Sequence, residues 1–420
     1  MKRILPASLA SVLLSLGGAG ATLADALPGA TMEGLLSLAK ANNPDYASMR
    51  FEAQAAAERV APAGALPDPR LRTELMDITR MGEQNPTLLP GKVGSTRYTL
   101  MQDLPWFGKR GLKQDIAQLE ADASQRKAEG GWTELAARIK TVQAQRHYLR
   151  RNAQLTQEII DLMQRLEKVA QLRYAGGLAA QQDVIRSQVE QTAMQSELLA
   201  IEGEARQADA RLNALLARPS AAPLAAAETP PKQPAPLARA ALEERMRSRN
   251  PQLFAQDALL QAAGKSRDLA YSNRYPDFTL AIAPTQYQTA IKEWALMLEI
   301  NIPLQQGARR AQEREAEAML AAAQSRKEAL GNQLLSDLAE NLAGIETAQR
   351  SAALAESSLL PQAELGLRSA LAAYENGKVD FATVLDAQRQ IRLARQTRIK
   401  AQLEAQMRLA EIERLAGEEP

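Results

Sequence analysis

Carboxylates, guanidinium groups and phenols are the side chains left to do chemistry in this chain. Cys is absent and His occurs once, at His147. Those facts remove disulfides, thiolate metal sites, Cys nucleophiles, His-rich metal centres and most catalytic triads. No Gly-rich phosphate loop is present, and carboxylate pairs alone leave few hydrolytic sets. The sequence thus carries no catalytic residue, no cofactor motif and no metal centre. His147, between Arg146 and Tyr148, reads as a polar surface or seam residue. The Met residues, as at Met76, Met101, Met163 and Met194, look scattered and suit seam filling, because a soft-metal relay needs thioethers clustered in space. Lys and Arg number 51 against 49 Asp and Glu, so no global field draws nucleic acid.

The elements that position the charged residues follow from composition. Aromatic residues make up 4% of the 420, too little bulk for a thick core. About one residue in five is Ala, which with Leu, Gln, Glu and Arg favours long helices packed through narrow seams. No Pro lies between Pro105 and Pro219 or between Pro303 and Pro361, whereas several crowd into 219–236 and mark a linker. Leu155, Ile159, Leu162, Leu166 and Val169 form a heptad seam, as do Leu335, Leu338, Leu342 and Ile345. A helix from Lys109 to Arg173 would be roughly 95 Å long. Pro361 should kink or interrupt the second long helix.

The halves on either side of the linker repeat one another. Asn43-Pro44 corresponds to Asn250-Pro251, and Pro67-Asp68 to Pro276-Asp277. Pro105 with Gly108, Lys109 and Arg110 corresponds to Pro303 with Gly307, Arg309 and Arg310. Tyr174-x-x-Gly177 and Val184 match Tyr374-x-x-Gly377 and Val384. This is an internal two-fold repeat, with units 27–218 and 237–420. Each unit reads as helix, two short strands, long helix, Gly turn, long helix.

The strands alternate strictly. Trp294, Leu296, Leu298, Ile300 and Ile302 alternate with Ala295, Met297, Glu299 and Asn301; Phe278, Leu280 and Ile282 alternate with small residues. In the first unit Tyr98, Leu100 and Leu104 alternate with Arg97, Thr99 and Asp103, and Leu71, Thr73 and Leu75 with Arg72 and Glu74. A sandwich face is the commoner cause of such alternation, but no other strand-rich sequence remains to cover this one. The alternative is a transmembrane β-barrel, apolar outside and wet inside.

The N-terminus carries an address. Lys2-Arg3, an apolar run from Ile4 to Leu23 and Ala24-Asp25-Ala26 form a signal peptide over 1–26, with a retained membrane anchor as the alternative. No later apolar stretch would span a bilayer as a helix. Four strands cannot close a barrel, and an open edge cannot sit in lipid. Two copies would give eight strands around a filled lumen, and three would give twelve around an aqueous channel. The polar inner face favours three.

The combination resembles the TolC family of outer-membrane efflux channels. The resemblance rests on Asn43-Pro44, Asn250-Pro251, the run Gln102 to Arg110 (QDLPWFGKR), Asn301-Ile302-Pro303-Leu304, and Leu172-Arg173-Tyr174-x-x-Gly177 with Tyr374-x-x-Gly377 leading to Val384-Leu385-Asp386-Ala387. It implies a mainly α fold with a small β part: a homotrimer with a long α-helical coiled-coil barrel and a twelve-stranded transmembrane β-barrel of four short antiparallel strands per chain. It also implies a Gram-negative outer-membrane location, a periplasmic adaptor (membrane fusion protein) and an inner-membrane RND-type pump as partners. The Leu-Pro-Trp-Phe-Gly-Lys-Arg run looks closest to the CzcC and CusC-like branch, which exports heavy-metal cations. A drug or type I protein-secretion duct has the same architecture, and a soluble periplasmic adaptor or scaffold is the rival of another class. Two features depart from the family pattern. Without Cys the chain cannot carry a lipidated N-terminal Cys. Where relatives often carry two acidic residues three apart, Asp386 is paired with Thr383, which leaves one carboxylate ring per trimer.

The resemblance assigns roles to these residues. Arg173, Tyr174, Gly177, Asp183, Tyr374, Gly377 and Asp386 would form the periplasmic tip, which docks the adaptor and narrows the pore. Turn and cap chemistry is the plainer reading of the same residues. Arg72, Glu74, Arg97, Asp103 and Glu299 should face water in the barrel lumen. Tyr98, Trp106 and Trp294 suit the membrane-interface aromatic girdle, with simple packing beside Pro105 the alternative for Trp106.

Overall fold

The computed structural model describes residues 27–83, 85–226 and 238–417. The expected signal peptide 1–26 and residues 227–236 of the linker lie outside the described residues. The first half runs α1 (Met32–Asn42), α2 (Pro44–Glu58), α3 (Val60–Gly64), β1 (Arg70–Met76), β2 (Ser95–Leu104), α4 (Lys109–Ala175) and α5 (Gln181–Leu215). The second runs α6 (Arg239–Arg249), α7 (Pro251–Ser272), β3 (Asp277–Tyr287), β4 (Ala290–Asn301), α8 (Gln306–Leu354), a π turn (Ala355–Leu359), α9 (Leu360–Glu375) and α10 (Phe381–Ala416).

The 67 residues of α4 make a rod of about 100 Å. Its heptad positions do what their spacing demands. Leu155, Ile159 and Leu166 are buried with Met163, Met194, Leu367 and Val384 in a core shared by α4, α5, α9 and α10, and Leu162 and Val169 pack at its margin. Leu338 and Ile345 anchor a second core between α6, α8 and α10, flanked by Leu335 and Leu342. Pro361 lies in the first turn of α9, directly after the π turn. The wider turn accommodates a residue that has no N–H and clashes with the preceding helical turn, so the helix path continues.

The Asn-Pro pairs show how each half closes. Asn43 caps α2, its Oδ1 accepting from Tyr46 N at 2.9 Å, with Pro44 at the first helical position. Its Nδ2 donates to Leu215 O, at the end of α5, at 2.9 Å. Asn250 does the same for α7: Oδ1 accepts from Gln252 N at 2.9 Å, and Nδ2 donates to Leu415 O near the end of α10, also at 2.9 Å. One side chain thus satisfies an orphan donor of the helix it starts and an orphan carbonyl of the helix that returns.

The strands form one antiparallel sheet in the order β1-β2-β3-β4. The β3–β4 connection is a two-residue turn, whereas residues 77–94 join β1 to β2. Among the described residues no helix is long and apolar enough to cross a membrane.

Candidate functional site

Register decides what each face of the sheet presents. Leu71 pairs with Leu100, Leu100 with Ile282, and Ile282 with Leu296. One row along, Leu280 pairs with Leu298, and Leu104 with Phe278, which pairs with Ile300. The alternating apolar residues of all four strands therefore share a face, and they are exposed: Leu71, Leu296, Leu298 and Trp294 are each more than 60% accessible. On the other face the small residues Thr99, Ala281, Ala283 and Thr285 are buried. This inverts the arrangement of a water-soluble sheet. Among the described residues the outer edges of β1 and β4 have no partner strand.

All five expected lumen residues fall on the second face. Glu74 stands opposite Arg97, and Arg97 opposite Thr285, whose Oγ1 accepts from Arg97 Nε at 3.5 Å. Arg72 pairs with Glu74 at 2.7 Å. Asp103 accepts two bonds of 2.9 Å from Arg70 and one of 2.7 Å from Thr279, and Glu299 lies opposite Thr279. Arg70, Asp103 and Thr279 are thus linked across three strands, while Arg72 and Glu74 pair along β1. Tyr98 and Trp294 lie on the apolar face; the Tyr98 hydroxyl donates to Gln286 Oε1 at 3.3 Å.

Trp106 lies where the sheet meets α4. Its ring stacks on Tyr275 with centroids 5.0 Å apart and packs near Phe107 and Phe278. Its backbone N–H donates to Asp277 Oδ1 at 2.8 Å, which also accepts from the buried Lys109 at 2.8 Å. Gly108, at φ 85°, supplies the left-handed step between them. Basic residues in the first turn of each long helix have similar jobs: Arg110 donates to Gly64 O and Arg309 to Asn273 O, each holding the end of the helix that enters a hairpin. The sequence reading missed Phe107, Tyr275 and Phe278 as members of this aromatic cluster, although each lies within three residues of a Pro already singled out.

At the opposite end, the α4–α5 and α9–α10 turns lie side by side. Both close alike: Leu178 N donates to Arg173 O at 2.8 Å and Lys378 N to Ala373 O at 2.9 Å, with Gly177 and Gly377 at φ 68° and 70°. This is the hydrogen-bond pattern that ends a helix on a left-handed residue. Arg173 joins the two turns. It donates to Glu375 O at 2.5 Å and Leu178 O at 3.2 Å, and its guanidinium sits 4.9 Å from the Tyr374 ring centre. The Tyr374 hydroxyl donates to Asp183 Oδ2 at 3.3 Å, and its ring packs on the fully buried Phe381. Burial, and then the Asp183 carboxylate, push the Tyr374 phenol up to about 12, so it stays a donor at any physiological pH.

Five of the seven expected tip residues thus form one cluster: Arg173, Gly177, Asp183, Tyr374 and Gly377. Tyr174 and Asp386 point elsewhere. Tyr174 is half-exposed, and Asp386 is 69% exposed and pairs with Arg389 at 3.7 Å. Thr383 serves Asp380, the N-cap of α10, whose carboxyl is held below its usual range by hydrogen bonds from the Thr383 hydroxyl and N–H. Sequence reasoning also missed a ladder on α10. Arg389, Arg392, Arg395 and Arg398 meet Glu190, Glu197, Glu158 and Glu356 at 2.9, 2.5, 3.0 and 3.7 Å. Their spacing of three was the available signal.

His147 is half-buried at the wall of a cavity of about 550 Å³ between α4, α8 and α10. Burial, and then Arg151 and Arg150, hold its pKa below the ordinary value. Among the described residues no three His, Cys, Asp or Glu side chains gather as a metal site.

The profile of a family described as outer membrane efflux protein matches residues 35–218 and 242–418, so that each half is matched separately. The chain is 24% identical over 376 residues to the cobalt-zinc-cadmium resistance protein CzcC of Cupriavidus metallidurans, covering 87% of this chain and 84% of that protein. Among solved structures it is similar to CusC, with a TM-score of 0.79, 19% identity and 92% of each chain covered. It is equally similar to the outer membrane protein VceC of Vibrio cholerae, with a TM-score of 0.78, 19% identity, and 92% and 96% covered. The chain belongs to the outer membrane efflux protein family.

Proposed function

We propose that this member of the outer membrane efflux protein family is the passive exit duct of a tripartite efflux system, exporting heavy-metal cations. The observation that carries the reading is the inverted sheet, whose exposed face is apolar while its charges pair on the other face. Three copies would join β4 of one chain to β1 of the next, closing a twelve-stranded barrel that leaves no edge in lipid. The helical rods would continue the duct across the periplasm. The halves would descend from a duplicated unit, which the twin Asn clasps and twin Gly turns support. Residues 1–26 would be removed on export.

The tip would dock a periplasmic adaptor and act as the gate. Arg173, Tyr374 and Asp183 tie the two hairpins of a chain together, and three Asp386 carboxylates around the axis would repel one another and favour cations. An inner-membrane RND-type pump would supply the energy. Metal cargo is favoured by the resemblance to a cobalt-zinc-cadmium resistance protein. Cell fractionation tests the reading: the protein should appear in the outer membrane as a heat-modifiable trimer. Recovery as a soluble periplasmic monomer would overturn it.

A further inference from the structure

We propose that the charged face of the sheet carries a two-thioether site for a soft monovalent metal ion, formed by Met101 and Met297. Its place in a lumen rests on the duct reading, whereas the register that builds it belongs to the single chain. Met101 pairs with Ala281, and Ala281 pairs with Met297. The three residues form one row across β2, β3 and β4, on the face that holds Arg97, Asp103 and Glu299. Strand spacing puts the two Met backbones roughly 10 Å apart, a gap that two unbranched side chains can close over an alanine. Ala281, between them, is only 1% exposed.

These two Met differ from those that fill the helical seams. Met163 and Met194 are buried at 0% and 4% exposure inside a seam, where a thioether is simply a flexible hydrophobe. Met297 is 41% accessible and Met101 half-buried, on a face that also carries charges, Thr, Ala and, at the far end of β1, Met76. Packing does not require them there. A neutral, polarizable thioether prefers Cu(I) and Ag(I), while zinc and cobalt favour nitrogen and oxygen donors. The electrostatic surroundings allow a cation. Two residues along each strand, on the same face, stand Asp103 and Glu299. Arg70 opposes Met101 in the row, but its charge is engaged by Asp103 at 2.9 Å. Two thioethers give a weak site, which suits a duct: an ion must be able both to enter and to leave. Three copies would set three such pairs at one level of the lumen.

The test uses full-length protein in detergent, with [methyl-13C]Met, titrated with silver nitrate in chloride-free buffer. Two methyl resonances should move first, and they should be the two missing from Met101→Leu and Met297→Leu. Each variant keeps side-chain volume, should remain a heat-modifiable oligomer, and should weaken silver binding by about tenfold or more. Zinc at the same concentration should move neither signal. Static signals for these two Met in excess silver, or unchanged silver affinity in the variants, would overturn the site. Bilayer conductance of the same preparation separates the two readings. Conductance without silver shifts removes the site alone, and silver shifts without conductance remove the duct and leave the site.

Discussion

Tyr374→Phe removes one hydroxyl from the tip and leaves the rest of the cluster in place. The ring that Phe381 packs against and Arg173 covers at 4.9 Å is unchanged. What disappears is the bond to Asp183. A hydrogen bond to a charged acceptor contributes about 1.5–3 kcal/mol. At 3.3 Å, to a carboxylate that is half-exposed, the lower end is further reduced by solvent screening, to about 1 kcal/mol. That shifts the balance between joined and parted hairpins about fivefold in one chain. If three tips part together the sum is about 3 kcal/mol, more than about a hundredfold. Single-channel recordings in planar bilayers should show wider or longer openings for Tyr374→Phe than for the native protein. Tyr174→Phe is the control, because Tyr174 is half-exposed and its hydroxyl has no hydrogen bond among the described residues. Native-like recordings from intact Tyr374→Phe trimers would refute the latch.

The same phenol sets a pH dependence. Because its folded pKa is raised to about 12 from the usual 10, its contribution to stability is fully present below pH 10 and is lost as pH rises toward 12; the tyrosinate absorbance of native protein minus Tyr374→Phe should show one late titration there. Asp386→Ala should raise single-channel conductance and lower cation preference, and no change would make Asp386 an ordinary surface charge. Asn43→Ala and Asn250→Ala should each destabilise by about 1–3 kcal/mol, through loss of the cap and of the partner of a carbonyl. Thermal scans at fixed rate should show similar losses, and a large inequality would argue against equivalent halves. Leu298→Arg should cost about 2–4 kcal/mol per copy on a lipid face and deplete the outer-membrane form, whereas its neighbour Glu299→Gln should assemble normally. Equal outcomes in membrane fractions would refute the assignment of faces.

The part of the fold legible in the sequence is what the backbone period enforces. Alternation at two residues put Leu71, Leu100, Ile282 and Leu296 on one face before any pairing was known, and the register then aligned them into one row. The Gly177 and Gly377 turns and the interruption before Pro361 were equally legible, since positive φ and a missing N–H are local properties. Contacts between distant segments were not. Arg173 reaches Glu375, and Tyr374 reaches Asp183, across about two hundred residues of chain, and nothing in either turn names its partner. The Asn-Pro pairs show both cases in one side chain. The cap on the following helix is a sequence signal, but the bond from Asn43 to Leu215 O depends on where α5 ends. Met101 and Met297 looked scattered for the same reason: only the shared neighbour Ala281 puts them in a row.

The sheet also explains why such a chain can be poor in aromatic residues. A soluble domain of this length would need bulky side chains to fill a closed core. Here Ala, Leu and Met fill helical seams, and on the sheet the polar face settles its charges by cross-strand bonds such as Arg70–Asp103–Thr279. Two requirements are left that one chain cannot meet: an apolar face open to its surroundings, and unpaired edges on β1 and β4. Lipid alone satisfies the first and leaves the edges exposed, at a cost of several kcal/mol for each backbone group in hydrocarbon. A second copy alone pairs edges and leaves the apolar face in water. On the proposed closure the two are met together, so edge pairing and membrane entry should be coupled steps. An edge-disrupting change should then reduce insertion as strongly as a charge on the lipid face.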